Sequence, residues 1–163
     1  MKIKQLYKII SILTIGLVVY SCQKYDNPVV STASTYPISG EWWVTLKDTT
    51  GAVLVDYKAF LTYNTASDKG DSIWVDDEGN LWNFKVKSAC NVKDKTFAVD
   101  SIENQYYPIR VAIKDGKVIL KGGKTKGGNV SDSIYMKIGF TDGGGATYII
   151  SGVRRTGFTK DDY

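Results

Sequence analysis

The side chains best suited to chemistry in this 163-residue chain are clustered acids, beginning with Asp76-Asp77-Glu78. Neighbouring carboxylates can divide acid and base roles, and with Asp68 and Asp71 upstream they supply the oxygen-rich set that calcium needs. The next residues are Gly79-Asn80, and acids beside Gly and Asn are the ordinary composition of a tight turn, so the cluster reads as solvated, with no metal. The Gly-Lys run from Gly122 to Gly128 and the Gly143–Gly145 run have the look of phosphate cradles. A phosphate loop needs a helix N-terminus behind it; none follows, and both read as flexible loops. Cys90 is a thiol in a chain that has no His, and it reads as core filler or a strand-end residue. Without an imidazole, the serine and cysteine triads built on His are excluded, as are most protein zinc sites. The expectation is a protein with no catalytic residues and no cofactor.

The aromatic residues carry the remaining functional signal. Trp42, Tyr57, Tyr63, Trp82, Phe84 and Tyr148 are candidates to line a cup for an apolar or amphipathic ligand. Core filling also accounts for most of them. Tyr favours the cup, because a buried hydroxyl needs a partner whereas a cavity wall accepts an apolar body with a polar tip. Arg154 and Arg155, near the end of the chain, could meet an anionic head group or plug one end of the fold over Trp42, the plug being the favoured role.

Placing these residues requires strands. With 12% aromatics, 16 Gly and 3 Pro, the composition suits an all-β domain with many turns, and no window shows a helical stripe. Gly40–Lys47 reads as the first strand and Tyr148–Arg155 as the last, paired with each other so that neither leaves a sticky edge. Between them, Ala52–Asn64 is a long strand with Val53, Val55, Tyr57, Ala59, Leu61 and Tyr63 on one face, the better candidate for the interior. Ser72–Asp76 is a short strand, and Asp77-Glu78-Gly79-Asn80 is a tight hairpin turn into Leu81–Ser88, where Trp82, Phe84 and Val86 alternate with polar residues. Strands follow at Thr96–Asp100, Tyr107–Lys114, Lys117–Lys121 and Ser131–Thr141. The Asp115-Gly116 dipeptide predicts a two-residue hairpin between two of them. Eight or nine short strands without a helical crossover predict an up-and-down antiparallel barrel, with a sandwich as the alternative.

The start of the chain reads as delivery. Met1–Lys8 holds three Lys, Ile9–Tyr20 is apolar but too short to span a bilayer comfortably, and Val19-Tyr20-Ser21-Cys22 places a small residue before a Cys. This predicts a signal peptide over residues 1–21, acylation of Cys22 by chains such as palmitate, and a flexible tether over 22–37 that carries a barrel domain over 38–163. It resembles bacterial lipoprotein signals, and Gln23-Lys24-Tyr25-Asp26 partly resembles the signals that send Bacteroidetes lipoproteins to the cell surface. The implied address is the outer membrane, facing the periplasm or the outside. The formal charge of +4 includes those three leader Lys; without them 18 basic side chains face 17 acidic ones, a net of about +1. That balance offers no electrostatic footprint for nucleic acid.

Gly40-x-Trp42 on the first strand and Arg154-Arg155 on the last match lipocalin-like barrels, in which an Arg from the final strand lies over the Trp at the closed end. The fuller set Ile38-Ser39-Gly40-Glu41-Trp42-Trp43, Tyr63-Asn64-Thr65, Asp71-Ser72-Ile73-Trp74, Trp82-Asn83-Phe84-Lys85-Val86-Lys87 and Ser151–Phe158 resembles the Bacteroidetes lipoprotein family described as lipid-binding putative hydrolase. The resemblance covers nearly the whole predicted domain and implies a lipocalin-like barrel of about eight strands. The family description includes a hydrolase, but no catalytic residue carries over. Two functions follow. One is a membrane-anchored lipoprotein that holds a lipid or another small hydrophobic ligand in its barrel. The other is a surface accessory module that contacts glycan or protein through loops and exposed Trp such as Trp43 and Trp74, with a filled interior. Continuous internal volume favours the first, and an exposed Trp patch the second.

Overall fold

The computed structural model describes Ile3 and residues 31–163. The predicted leader, the Cys22 acylation site and most of the tether therefore lie outside the described residues. Thr32–Tyr163 is one compact unit whose apolar core is drawn from its own residues between Ile38 and Ile150, as expected of a unit that folds without the segment before it.

Eight strands run in order: β1 Gly40–Lys47, β2 Val53–Asn64, β3 Ser72–Asp76, β4 Lys85–Asn91, β5 Thr96–Glu103, β6 Arg110–Lys124, β7 Val130–Phe140 and β8 Thr147–Arg154. Each pairs antiparallel with its neighbours in sequence, and β1 pairs with β8 from Trp42↔Arg154 to Lys47↔Ile149. The sheet is thus a closed up-and-down barrel, the architecture expected from the strand spacing. Inward-facing side chains alternate along each wall: Trp42, Val44 and Leu46 on β1, Ile73 and Val75 on β3, Ile134, Met136, Ile138 and Phe140 on β7, nearly all fully buried. Up-and-down order sorts the loops into two sets. The β2–β3, β4–β5 and β6–β7 loops share one end with the chain segments before β1 and after β8. The β1–β2, β3–β4, β5–β6 and β7–β8 loops form the other end, the mouth.

Three elements differ from the sequence reading. The first is β2, where the face predicted to point inward does so only in part. Val44 pairs with Lys58 but Leu46 pairs with Val55, so β2 spends one residue more than β1 between these pairs. That bulge exchanges the two faces. Val55 packs on the core, whereas beyond the bulge Phe60 and Thr62 are buried inside and Tyr57, Ala59, Leu61 and Tyr63 lie on the outer wall.

The second is Asp115-Gly116, which makes no hairpin. β6 runs straight through it, with Lys114 opposite Lys137 and Lys117 opposite Tyr135, so the two residues are a bulge in one long strand. Asp115 takes the left-handed φ of 55° that an Asp-Gly turn also uses, which is why the local signal is the same. A side chain on Gly116 would overlap Phe97 of β5, which lies against it.

The third is the stretch from Asp77 to Phe84. It is an eight-residue loop, not a tight turn followed by strand, and β4 starts only at Lys85. Asp77 is fully buried. Its Oδ2 accepts the backbone N–H of Leu81, Trp82 and Asn83 and its Oδ1 those of Gly79 and Phe84, at 2.7–3.1 Å. Asp76 is also buried and accepts the hydroxyls of Tyr63 and Tyr106. These acids are therefore not a solvated turn. Asp77 is the internal staple of a loop that has no ladder to satisfy its backbone donors.

Candidate functional site at the barrel mouth

One end of the barrel is sealed. Trp42 and Arg154 are cross-strand partners, and the Arg154 guanidinium lies 4.3 Å from the Trp42 ring centroid. Its Nη1 donates to Ser39 O and its Nη2 to Pro37 O, both at 2.6 Å, while Nε meets Asp132 Oδ2 at 3.0 Å. The Trp42 indole N–H donates to Thr62 Oγ1, whose hydroxyl donates in turn to Ile38 O. Gly40 is required beneath this plug, because a Cβ there would overlap the guanidinium. The segment before β1 is part of the seal: Thr35 and Ile38 are fully buried, and Ser34 donates twice to Asp68. Arg154 thus plugs the barrel over Trp42, the favoured of the two roles read from the sequence, and its three donor nitrogens are all occupied by protein acceptors.

From the seal an aromatic column runs through the interior. Phe60 stands opposite Trp42 in the β1–β2 ladder, Phe84 follows at 6.0 Å, Phe140 at 5.4 Å, and Trp82 stacks nearly parallel on Phe140 at 4.6 Å with an interplanar angle of 4°. Tyr148 completes the group, 5.0 Å from Trp82 and 6.1 Å from Phe140. Phe60, Phe84 and Phe140 are buried, whereas Trp82 and Tyr148 are only partly so. The column meets solvent at these two rings.

The rings at the mouth are held by loops. Trp82 belongs to the β3–β4 loop, whose conformation is set by the five N–H groups on Asp77. Its indole N–H donates to Asp142 Oδ1 in the β7–β8 loop at 3.1 Å, and the Tyr107 hydroxyl from the β5–β6 loop donates to Asp142 Oδ2 at 2.7 Å. One carboxylate therefore ties three loops together. Burial, followed by the hydrogen bond to Asp142 and then its charge, pushes the Tyr107 phenol up to about 12. The Asp142-Gly143-Gly144-Gly145 turn that carries the latch has no side chain after the Asp to pack it down. The arrangement is a hydrophobic stack with a polar tip and a short, exposed latch.

The structure brings together Trp82, Phe84 and Tyr148 of the predicted ligand-lining set, with Trp42 at the far end of the same column under Arg154. It does not bring Tyr57 or Tyr63 to them. Tyr57 lies on the outer wall, stacked on Tyr163 at 3.6 Å. Tyr63, also outside, donates to Asp76 Oδ2 and sits beside Trp74. The Lys85 ammonium is 5.4 Å from both of these ring centroids and 3.6 Å from Asp76. Sequence reasoning missed Phe140, Tyr107 and Asp142. Phe140 was within reach, because Ile134, Met136 and Ile138 set the period-2 row that it ends. Tyr107 and Asp142 lie in loops and meet only when the barrel closes.

The family described as lipid-binding putative hydrolase matches the chain over residues 27–159. A crystal structure of a structural-genomics protein of unknown function from Bacteroides ovatus is similar to it at 14% identity and a TM-score of 0.47, covering 78% of this chain and 44% of that one. The chain thus spans less than half of that protein. None of the curated proteins matches it. With every strand of the barrel inside the matched segment, the chain belongs to the family of lipid-binding putative hydrolases.

Proposed function

We propose that this member of the lipid-binding putative hydrolase family is an outer-membrane lipoprotein, anchored through Cys22, that takes one lipid-like or amphipathic molecule at the barrel mouth and binds it without hydrolysing it. The observation that carries the reading is the Trp82 indole, half-buried on Phe140 and Tyr148 where the aromatic column meets solvent. A ring in that position gives an acyl chain or another flat apolar group the surface that it already gives Phe140. Entry exchanges one stack for another, at the expense of the single Asp142 latch. The Asp77 staple keeps the loop backbone ordered while the ring moves. The family assignment supports the chemical class of the ligand, and the side chains that fill the interior support a position at the mouth instead of deep in the barrel.

The test is tryptophan fluorescence during titration with fatty acids and related amphiphiles. Saturable quenching is expected for the wild type, weakened about tenfold in Trp82→Ala and unchanged in Tyr57→Ala. A flat response across the panel, or equal affinity in Trp82→Ala, overturns the reading. The anchor is tested separately by labelling with a fatty-acid analogue, which should mark the wild type and not Cys22→Ala.

The alternative, a surface module that contacts glycan or protein through loops and exposed Trp, is favoured by two observations. The interior between Trp42 and Phe140 is occupied by the protein's own side chains, and Trp74, Tyr63 and Tyr106 form a separate aromatic platform around Lys85 and Asp76. Loss of oligosaccharide binding in Trp74→Ala, with lipid binding absent, would select it.

A further inference from the structure

The two ends of the barrel differ in charge as well as in packing. The four mouth loops, 48–52, 77–84, 104–109 and 141–146, contain Asp48, Asp77, Glu78 and Asp142 and no Lys or Arg. At the sealed end, the tip of the β6–β7 ribbon carries Lys121, Lys124 and Lys126, and the chain after β8 adds Lys160. All four are exposed, and among the described residues none lies within ion-pair distance of a carboxylate. The other two loops of this end carry Asp68, Asp71 and Asp94 alongside Lys69, Lys93 and Lys95. Three acids near the ribbon tip are already engaged. Asp132 pairs with Arg154, Asp162 with Arg155, and the buried Asp161 accepts from Thr125, Asn129 and Thr156. Exposed apolar surface lies beside Lys160 and beside Lys124, which stands opposite Val130 in the ladder, while the Lys126 ammonium is 5.8 Å from the Tyr163 ring centroid. Phe158 is 63% and Val130 62% exposed, and the two line one shallow groove together with Lys160, while Ile119 and Leu120 lie further along the same ribbon.

Exposed lysines without ion-pair partners beside a protruding phenyl group match an anionic headgroup layer with hydrocarbon beneath it. We propose that this end of the barrel is a membrane-facing surface. Phe158 and Val130 enter the interface, and Lys121, Lys124, Lys126 and Lys160 lie on anionic lipid headgroups. The proposal rests in part on the lipoprotein reading, because the segment leading from Cys22 joins β1 at this same end. Its consequence is orientation. The acidic loops and the Trp82 mouth then point away from the bilayer, and the bound molecule exchanges with the aqueous side.

The test uses the chain from Gln23 onward, with its fold checked by a cooperative thermal transition, so that vesicle binding is read without the acyl anchor. Binding to phosphatidylcholine vesicles containing about 30% phosphatidylglycerol is expected, with little binding to phosphatidylcholine alone and loss of binding between about 0.05 and 0.5 M salt. Lys124→Glu/Lys126→Glu/Lys160→Glu should weaken it at least about tenfold. Phe158→Ser should weaken it at constant charge, whereas Thr50→Lys at the mouth should leave it unchanged. Absence of binding to anionic vesicles, or equal binding by the triple variant, overturns the surface. Undiminished binding by Phe158→Ser, together with competition by a soluble acidic polysaccharide, assigns it to a polyanion and overturns the lipid reading. Labelling at Cys22 is read independently, so a failed anchor and a failed surface are told apart.

Discussion

The sealed end and the mouth are built from the same parts, a tryptophan ring and a polar latch, and they differ in how many partners each part has. Trp42 is 1% exposed, lies under a guanidinium held by two carbonyls and a carboxylate, and donates to a buried threonine. Trp82 is partly exposed, stacks on one buried ring, and donates to a carboxylate at the surface. Moving Trp42 would strand several buried polar groups, each costing about 1–3 kcal/mol. Moving Trp82 returns its latch to water, where the lost bonds are replaced. The proposed function, a barrel closed at one end that exchanges a molecule at the other, calls for this asymmetry.

The comparison breaks most sharply on stability. Trp42→Ala should cost about 4 kcal/mol in denaturant unfolding, as a large buried ring with its hydrogen bond removed. Trp82→Ala should cost no more than about 1.5 kcal/mol. Equal costs would mean that the mouth is as fixed as the seal.

Asp77→Ala is expected to be next, at about 3 kcal/mol, since five backbone N–H donors, that of Phe84 buried and the rest part-buried, lose their acceptor together. It also sharpens the distinction between staple and latch. Hydrogen exchange of the Leu81–Phe84 amides should accelerate in Asp77→Ala and stay near wild type in Asp142→Ala, although both touch the Trp82 loop. Arg154→Met should then cost about 2–3 kcal/mol, because the Ser39 and Pro37 carbonyls and the Asp132 carboxylate all lose their donor.

The smallest expected effects are in pH dependence, and they have opposite signs at the two ends. At the sealed end, hydrogen bonds first from Thr156 and then from Asn129 lower the Asp161 carboxyl to about 2. A folded value below the unfolded one contributes stability that is fully present above about pH 4 and lost as pH falls toward 2. At the mouth, the Tyr107 phenol is raised to about 12 from an ordinary value of 10. Its contribution is fully present below about pH 10 and fades as pH rises toward 12. Acid unfolding of Asp161→Asn should lack the pH 4 to 2 component. Alkaline titration of Trp82 fluorescence should show the latch releasing as pH approaches 12 in the wild type but not in Tyr107→Phe.

Much of this was legible from the chain alone. Gly40–Lys47 and Tyr148–Arg155 are patterned strands at opposite ends of the domain, and closing a barrel leaves them no better partner than each other. The Trp42–Arg154 contact follows from that closure, and the β7 row from Ile134 to Phe140 follows from period-2 alternation. The candidate site was legible only in half. Trp82, Phe84 and Tyr148 stand out as inward-pointing aromatics, whereas Tyr107 and Asp142 are ordinary loop residues until three loops converge.

Residue type and local spacing determined that this chain is all-β, roughly where its strands lie apart from the start of β4 and the continuity of β6, and which strands close the barrel, because pleat alternation and turn chemistry act over neighbouring residues. Tertiary structure decided what depends on a partner strand. Whether Tyr57 and Tyr63 look in or out turns on one extra β2 residue between the pairs Val44↔Lys58 and Leu46↔Val55, and a bulge has no length in the sequence pattern. Whether Asp115-Gly116 is a hairpin or a kink in β6 turns on β5 and β7 both continuing past it, and the left-handed backbone is the same in either case. Whether Asp77 is solvated or buried turns on a loop folding around it. In each case the deciding contact lies across the barrel wall or across a loop, where sequence neighbours exert no force.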